Sequence, residues 1–243
     1  VVDKIYTFYP DRFIIDLEQR VNNTSATEWL GRQYRQLRRA VPEEDGGSRI
    51  FGTYAYVGTA YHDEKYEKLK FKDIAEEGLD KEMIGGWVSM VEHYFISAWI
   101  PESQEDAEKV YAKELGTAAN PEYSIGLRSA SQTIPAGQTG SFKTRFYAGP
   151  KLHDRLVEIA AGLDLTSDYG IFTVIARPIF WLLRKIHSFV GNWGWAIIFL
   201  TILIKLAFYK LSETSYRSMA NMRQLAPKLQ ALKERCGDDK QKY

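Results

Sequence analysis

The strongest constraint on this chain is the stretch Trp193 to Leu211, WGWAIIFLTILIKLAFYKL. Trp193 to Ile204 carries no charge, Lys205 interrupts the run, and Leu206 to Tyr209 continue it. At about 1.5 Å of rise per residue the stretch spans roughly 28 Å as a helix, close to the thickness of a bilayer core. Trp193 and Trp195 mark one edge and Tyr209 the other, as anchors at the membrane interface should. We expect a transmembrane helix over residues 193–211. A buried helix inside a soluble core is the alternative.

The rest of the chain is polar. The mean hydropathy of −0.33 averages that bulk with one apolar segment. A net charge of +1 over 243 residues argues against a protein held to nucleic acid by phosphate contacts. Cys236 is the single cysteine, so no intramolecular disulfide framework forms. His62, His93, His153 and His187 lack metal-ligand spacing, and neither a metal nor a cofactor is expected. Val1 opens the chain without methionine, inside what reads as a strand, and we expect no signal peptide within these residues. Both ends read as cut, and the chain as a fragment.

Residues 1–150 read as a β domain. Lys4 to Tyr9 is rich in strand formers, and Pro10-Asp11 is a turn signal. Phe13, Ile15 and Leu17 then alternate with polar residues, the pattern of a strand with one buried face. Ile50 to Tyr61 is a second strand candidate, and Trp87 to Ile100 is an aromatic-rich one ending at Pro101. Tyr123, Ile125 and Leu127 alternate, and Pro135-Ala136-Gly137 turns the chain into Thr139 to Ala148. Asn22 to Arg39, with its basic RQYRQLRR, could be helix or strand, and we take a solvated strand. Gly46-Gly47 and Gly85-Gly86 read as loops. Strands separated by turns in this way predict a sandwich rather than βαβ units.

Near Gly149 the period lengthens to three or four. Leu152, Leu156, Ile159 and Leu163 share one helical face, within a connector over residues 151–170. Phe172, Ile175, Ile179, Leu182, Ile186 and Phe189 recur in the same way over residues 171–190, with Arg177, Arg184 and Lys185 off the stripe. That pattern suits an amphipathic helix lying in the membrane interface. Packing on the β domain is the alternative. Gly191-Asn192 makes the corner.

Residues 212–243 are polar and basic, with Met219, Met222, Leu225, Leu229 and Leu232 on an approximate helical stripe. Pro227 should start a fresh helix or kink one, and Gly237-Asp238-Asp239 reads as a turn. The basic bias after the apolar span places residues 212–243 in the cytoplasm and residues 1–190 outside.

Lys205 is the residue with chemistry to explain. An ionisable group inside lipid costs several kcal/mol unless it finds water or a partner. It either serves a function or snorkels to the inner headgroups along its four-carbon stem. Thr201 lies one turn earlier on the same face, so the two form a narrow polar stripe. Lipid offers such a stripe no hydrogen bonds, which implies neighbouring helices.

DEKYEKLKFKDI, GGWVSMVEHYFISAWIP, LDLTSDYG, KIHSFVGNWGWAIIFLTILIKLAFYKL and YRSMANMRQLAPKLQALKERCGDDKQK follow one another in order. In order and wording they resemble the YidC-type family of bacterial membrane protein insertases. The resemblance covers most of the chain and is loosest over the first fifty residues. It implies a mainly β fold, a periplasmic β-supersandwich followed by an interfacial helix, one transmembrane helix and the start of a cytoplasmic coiled-coil hairpin.

The family resemblance also implies an inner-membrane insertase and chaperone acting on nascent membrane proteins, alone or beside the Sec translocon and its accessory subunits, without ATP. A hydrophilic groove open to cytoplasm and lipid carries a basic residue, usually arginine. Lys205 occupies that position and Thr201 falls on the groove side. Contact with a ribosome through the cytoplasmic region would fit the same picture. No enzyme chemistry is expected. Lysine departs from the usual arginine, keeping the charge without the planar fork. Lys210 stands where many relatives have proline, removing a helix stop.

Two other functions stay open. One is a carbohydrate-binding or sugar-converting β domain on an anchor, with His62, Asp63, Glu92 and His93 as candidate acid–base groups, although no motif pairs them. The other is a scaffold whose outer domain docks a partner.

Overall fold

The computed structural model describes residues 1–40, 56–117, 120–167 and 173–236, and in its last helix the side chains through Arg223 and at Leu225. The chain divides into two compact units, residues 1–168 and 169–243.

Among its described residues the first unit holds thirteen strands: β1 (Val2–Phe8), β2 (Ile14–Asn22), β3 (Trp29–Gly31), β4 (Tyr34–Ala40), β5 (Gly58–Asp63), β6 (Lys65–Leu69), β7 (Leu79–Ile84), β8 (Trp87–Val91), β9 (Phe95–Pro101), β10 (Ala107–Thr117), β11 (Asn120–Arg128), β12 (Gln132–Ile134) and β13 (Thr139–Pro150). Helix α1 (Phe71–Glu76) follows β6, and α2 (His153–Ile159) follows β13. The fold is mainly β, as expected.

Seven strands form one antiparallel sheet in the order β1-β2-β13-β9-β8-β5-β6. Four form a second, β4-β11-β10-β7, and β12 pairs with β3. The register of the central pairs is long: β13 runs from Thr139 opposite Asn22 to Tyr147 opposite Ile14.

Both faces of the large sheet bury apolar side chains, and alternation assigns them. Tyr61, Val88 and Met90 point into the space between the sheets, where they meet Val110, Ile125 and Leu127 of the smaller sheet. Trp87, Val91, Ile96, Ile100 and Tyr147 point the other way and are closed over by Leu156 and Leu163. Trp87 Nε1 donates to the Ala161 carbonyl at 2.9 Å, tying this covering segment to the sheet.

Several expectations change. Trp87 to Ile100 is a hairpin of two strands, closed by a hydrogen bond from the Glu92 amide to the Phe95 carbonyl at 2.9 Å. Gly85 and Gly86 are the expected loop, and both have positive φ. A Cβ on Gly86 would lie 1.9 Å from the His62 carbonyl oxygen, so no other residue fits.

The basic run 32–39 does form a strand, but not a wholly solvated one. Arg35 is buried, pairs with Glu108 and donates from Nη1 to Thr144 Oγ1 at 2.9 Å. The face shared by Leu152, Leu156, Ile159 and Leu163 is not one helix. α2 ends at Ile159, where Ala160 turns extended, and Gly162, in the left-handed region, starts a 3-10 turn over Leu163–Thr166. Of the Ile50 to Tyr61 candidate, Gly58–Tyr61 lies in β5, while residues 50–55 and the Gly46-Gly47 loop lie outside the described residues.

The second unit is helical, with α3 (Thr173–Val190), α4 (Trp193–Ala207) and α5 (Tyr209–Cys236). α3 carries Pro178 in its interior and shows apolar side chains such as Ile175, Trp181 and Phe189 at its surface. α5 runs through Pro227, so no fresh helix begins there. The Gly237-Asp238-Asp239 turn lies outside the described residues.

Candidate functional site

The corner before α4 is built from three neighbouring residues. Gly191 sits at φ +68°, a conformation that favours glycine, and its amide donates to the His187 carbonyl at 2.8 Å. Asn192 caps α4, its side-chain oxygen accepting from the Trp195 amide at 3.2 Å. Trp193 stacks on His187 with ring centroids 3.8 Å apart. Both tryptophans remain about half exposed, Trp193 at 48% and Trp195 at 57%.

Along α4, Ala196 and Leu200 form a buried row. Thr201 and Lys205 lie one residue further round, about 100° from that row, on an exposed strip. Thr201 Oγ1 donates to the Ile197 carbonyl at 2.8 Å, so its proton is held by its own helix while its lone pairs stay open. Lys205 is exposed and makes no salt bridge with a described residue.

The single helix expected over residues 193–211 is divided. α4 ends at Ala207, Phe208 leaves helical geometry at φ −93° and ψ 5°, and α5 begins at Tyr209. The Phe208 amide still reaches the Ile204 carbonyl at 3.0 Å, and the Ser212 amide reaches the Phe208 carbonyl at 2.9 Å, so the bend leaves those backbone groups paired. Among the described residues no single helix is long and apolar enough to cross a membrane. Trp193–Ala207 and Tyr209–Arg223 together have the length and composition, with a 59° bend between them. Tyr209 therefore stands beyond the bend, at the start of α5, and is exposed. Lys210, expected to remove a helix stop, follows a stop two residues earlier; its ammonium lies 3.8 Å from Glu213.

The candidate acid–base residues of the β unit are separately engaged. His62 stacks on Trp87 at 5.8 Å, and Asp63 accepts from Lys81 at 3.0 Å. Glu92 pairs with Arg39, and His93 packs against Tyr94. His62 lies opposite Trp87, at the end of the β5–β8 pair remote from Glu92. The four do not converge on one cavity.

Residues 1–182 match the family model described as the YidC periplasmic domain. The chain belongs to the YidC family. Residues 185–243 match a second family model, described as 60Kd inner membrane protein. Membership places the chain at the bacterial inner membrane with a periplasmic domain. Among YidC relatives, the Membrane protein insertase YidC of Thioalkalivibrio sulfidiphilus is 50% identical over 242 residues, covering 99% of this chain and 42% of that protein. Those of Methylococcus capsulatus and Methylobacillus flagellatus are 49% and 47% identical, covering 100% and 99% of this chain and 44% and 43% of theirs. The chain thus spans less than half the length of these relatives.

Sequence reasoning placed Lys205 and Thr201 on one face of one helix. It missed the break at Phe208, for which local composition gives no signal: no proline or glycine lies between Trp195 and Arg217.

Proposed function

We propose that this chain forms part of a membrane protein insertase and chaperone, which helps nascent membrane proteins enter and fold in the bacterial inner membrane. The observation that carries the reading is identity of 50% and 49%, across essentially the whole chain, to proteins named Membrane protein insertase YidC. In this reading residues 1–150 are the periplasmic β domain and 151–170 the connector. Residues 171–190 lie at the interface, 193–211 span the bilayer across the bend, and 212–243 begin the cytoplasmic hairpin. Trp193, Trp195 and Tyr209 anchor the span.

The mechanism is electrostatic. A nascent hairpin with a polar or acidic outer segment must cross apolar lipid. A groove that brings water and the Lys205 ammonium partway across lowers that barrier, and Thr201 lone pairs add polar contact. The short apolar length of α4 suits a locally thinned bilayer. Release requires that the substrate's apolar helix prefer lipid, so no nucleotide and no covalent step is needed. The same groove serves substrates arriving alone or from the Sec translocon, and in this reading residues 212–243 meet the ribosome.

The test is complementation of insertase-depleted cells by the full-length protein bearing Lys205→Arg, Lys205→Ala or Lys205→Glu. Arg should restore growth and Glu should fail. An equally active Glu variant would defeat the electrostatic mechanism, and a fully active Ala variant would make the charge dispensable.

A further inference from the structure

On the outer face of the seven-stranded sheet, beside α2, lies a cavity of about 360 Å³ lined by Arg12, Arg145 and Arg155. They come from three distant segments. Arg12 sits in the β1–β2 turn, directly after Asp11, which holds φ +59° at the tip. Arg145 is on β13, two residues from Tyr147 and therefore on the same face. Arg155 is on α2, one turn before Glu158.

Elsewhere in this unit, Arg20, Arg35, Arg38 and Arg39 each reach a glutamate. The cavity arginines do not. Asp11 and Glu158 also line the cavity, yet none of the three guanidiniums lies within salt-bridge distance of a described carboxylate. Arg145 Nη1 makes a long contact of 3.5 Å with the Ile159 carbonyl, and Arg12 stands 5.9 Å from the Tyr9 ring centroid. The Arg155 charge reaches inward: it opposes the rise that burial imposes on the Tyr147 phenol. The three guanidiniums outnumber the two lining carboxylates, so the concavity keeps a net positive charge that favours an anion. Phe13, Ile14 and Ile159 supply an apolar wall beside the charged one.

We propose that this cavity binds a phosphate-bearing group, with the guanidinium forks on the phosphate oxygens and the apolar wall against the attached carbon chain. The volume admits a headgroup or a small phosphate ester rather than a bare ion alone. The site is independent of the Lys205 mechanism.

The whole chain in neutral-detergent micelles is titrated by calorimetry with inorganic phosphate, with dihexanoyl phosphatidylglycerol and with a hexaglutamate peptide. Saturable binding of a phosphate probe is expected, falling about thirtyfold in Arg12→Gln/Arg155→Gln and unchanged in Arg20→Gln. Both cavity substitutions are at exposed positions, and an unaltered unfolding midpoint confirms that the variant is folded. Phosphatidylglycerol binding more tightly than phosphate identifies a lipid headgroup, and the reverse order a soluble phosphate. Equal affinity in the double variant, no saturation by either phosphate probe, or tighter binding of hexaglutamate would each overturn the proposal.

Discussion

The two units handle apolar residues in opposite ways. In the β unit Trp87, Ile125, Tyr147 and Leu163 are withdrawn from solvent, each inside a cluster supplied by its own unit. In the helical unit Ala196 and Leu200 are buried, while Phe199, Leu203 and Leu206 stand open along the same helix. Contiguous exposed apolar surface of that kind is costly in water. The β unit therefore has the composition of a domain stabilised by its own core. α4 has the composition of an element stabilised by lipid or by neighbouring helices.

The largest effect belongs to the closed side of that comparison. Trp87→Ala empties a fully buried site and removes the donor to the Ala161 carbonyl. It should cost the β unit about 4 kcal/mol, read as a lower urea midpoint of the whole chain in neutral detergent. An unchanged midpoint would mean that the second core cluster does not hold the unit together.

Next comes the buried ion pair. Arg35 and Glu108 are both nearly inaccessible, and Glu108→Gln leaves a guanidinium without its counter-charge. About 3 kcal/mol should be lost in the same assay. Arg35→Met combined with Glu108→Leu should recover most of it, because the cost lies in the unpaired charge rather than in the missing bond. No recovery would show that the packing around Thr144 needs the guanidinium itself.

That pair also marks where sequence reading stops. Tyr123, Ile125 and Leu127 of β11 were legible because Ser124 and Gly126, small or polar, keep period two in the residue order although all five are buried. β8 was not separable from β9, because all five residues Trp87–Val91 are buried and both faces read as apolar. Arg35 looked solvated because its partner lies 73 residues away. For the site, a charge at position 205 inside an apolar run is visible in one dimension. The bend at Phe208 and the convergence of Arg12, Arg145 and Arg155 arise from three-dimensional packing that leaves no local pattern.

A smaller effect separates the units by pH. Burial raises the Tyr61 and Tyr147 phenols above their ordinary value of 10.0, and for Tyr61 the hydrogen bond to Glu67 adds to it. Below about pH 10 these phenols are neutral in both states and cost nothing. Above it the unfolded chain releases protons that the folded β unit retains, so stability falls as pH rises. Urea midpoints between about pH 8 and pH 11 should decline, and Tyr147→Phe should flatten the decline. A Tyr147→Phe profile that matches the parent would place the alkaline sensitivity elsewhere.

The smallest expected effect is at Leu203, and it is the sharpest test of the contrast. Leu163→Ala and Leu203→Ala remove the same atoms, one from a closed cluster and one from a helix face that is 48% exposed. The first should cost about 3 kcal/mol by leaving a cavity, and the second less than about 0.5 kcal/mol in the β-unit transition. Leu203 has little to lose within the described packing, because its face of the helix is open. A cost at Leu203 comparable to that at Leu163 would mean that α4 is held by protein contacts. The exposed row would then belong to a protein interface and not to a surface meant for lipid.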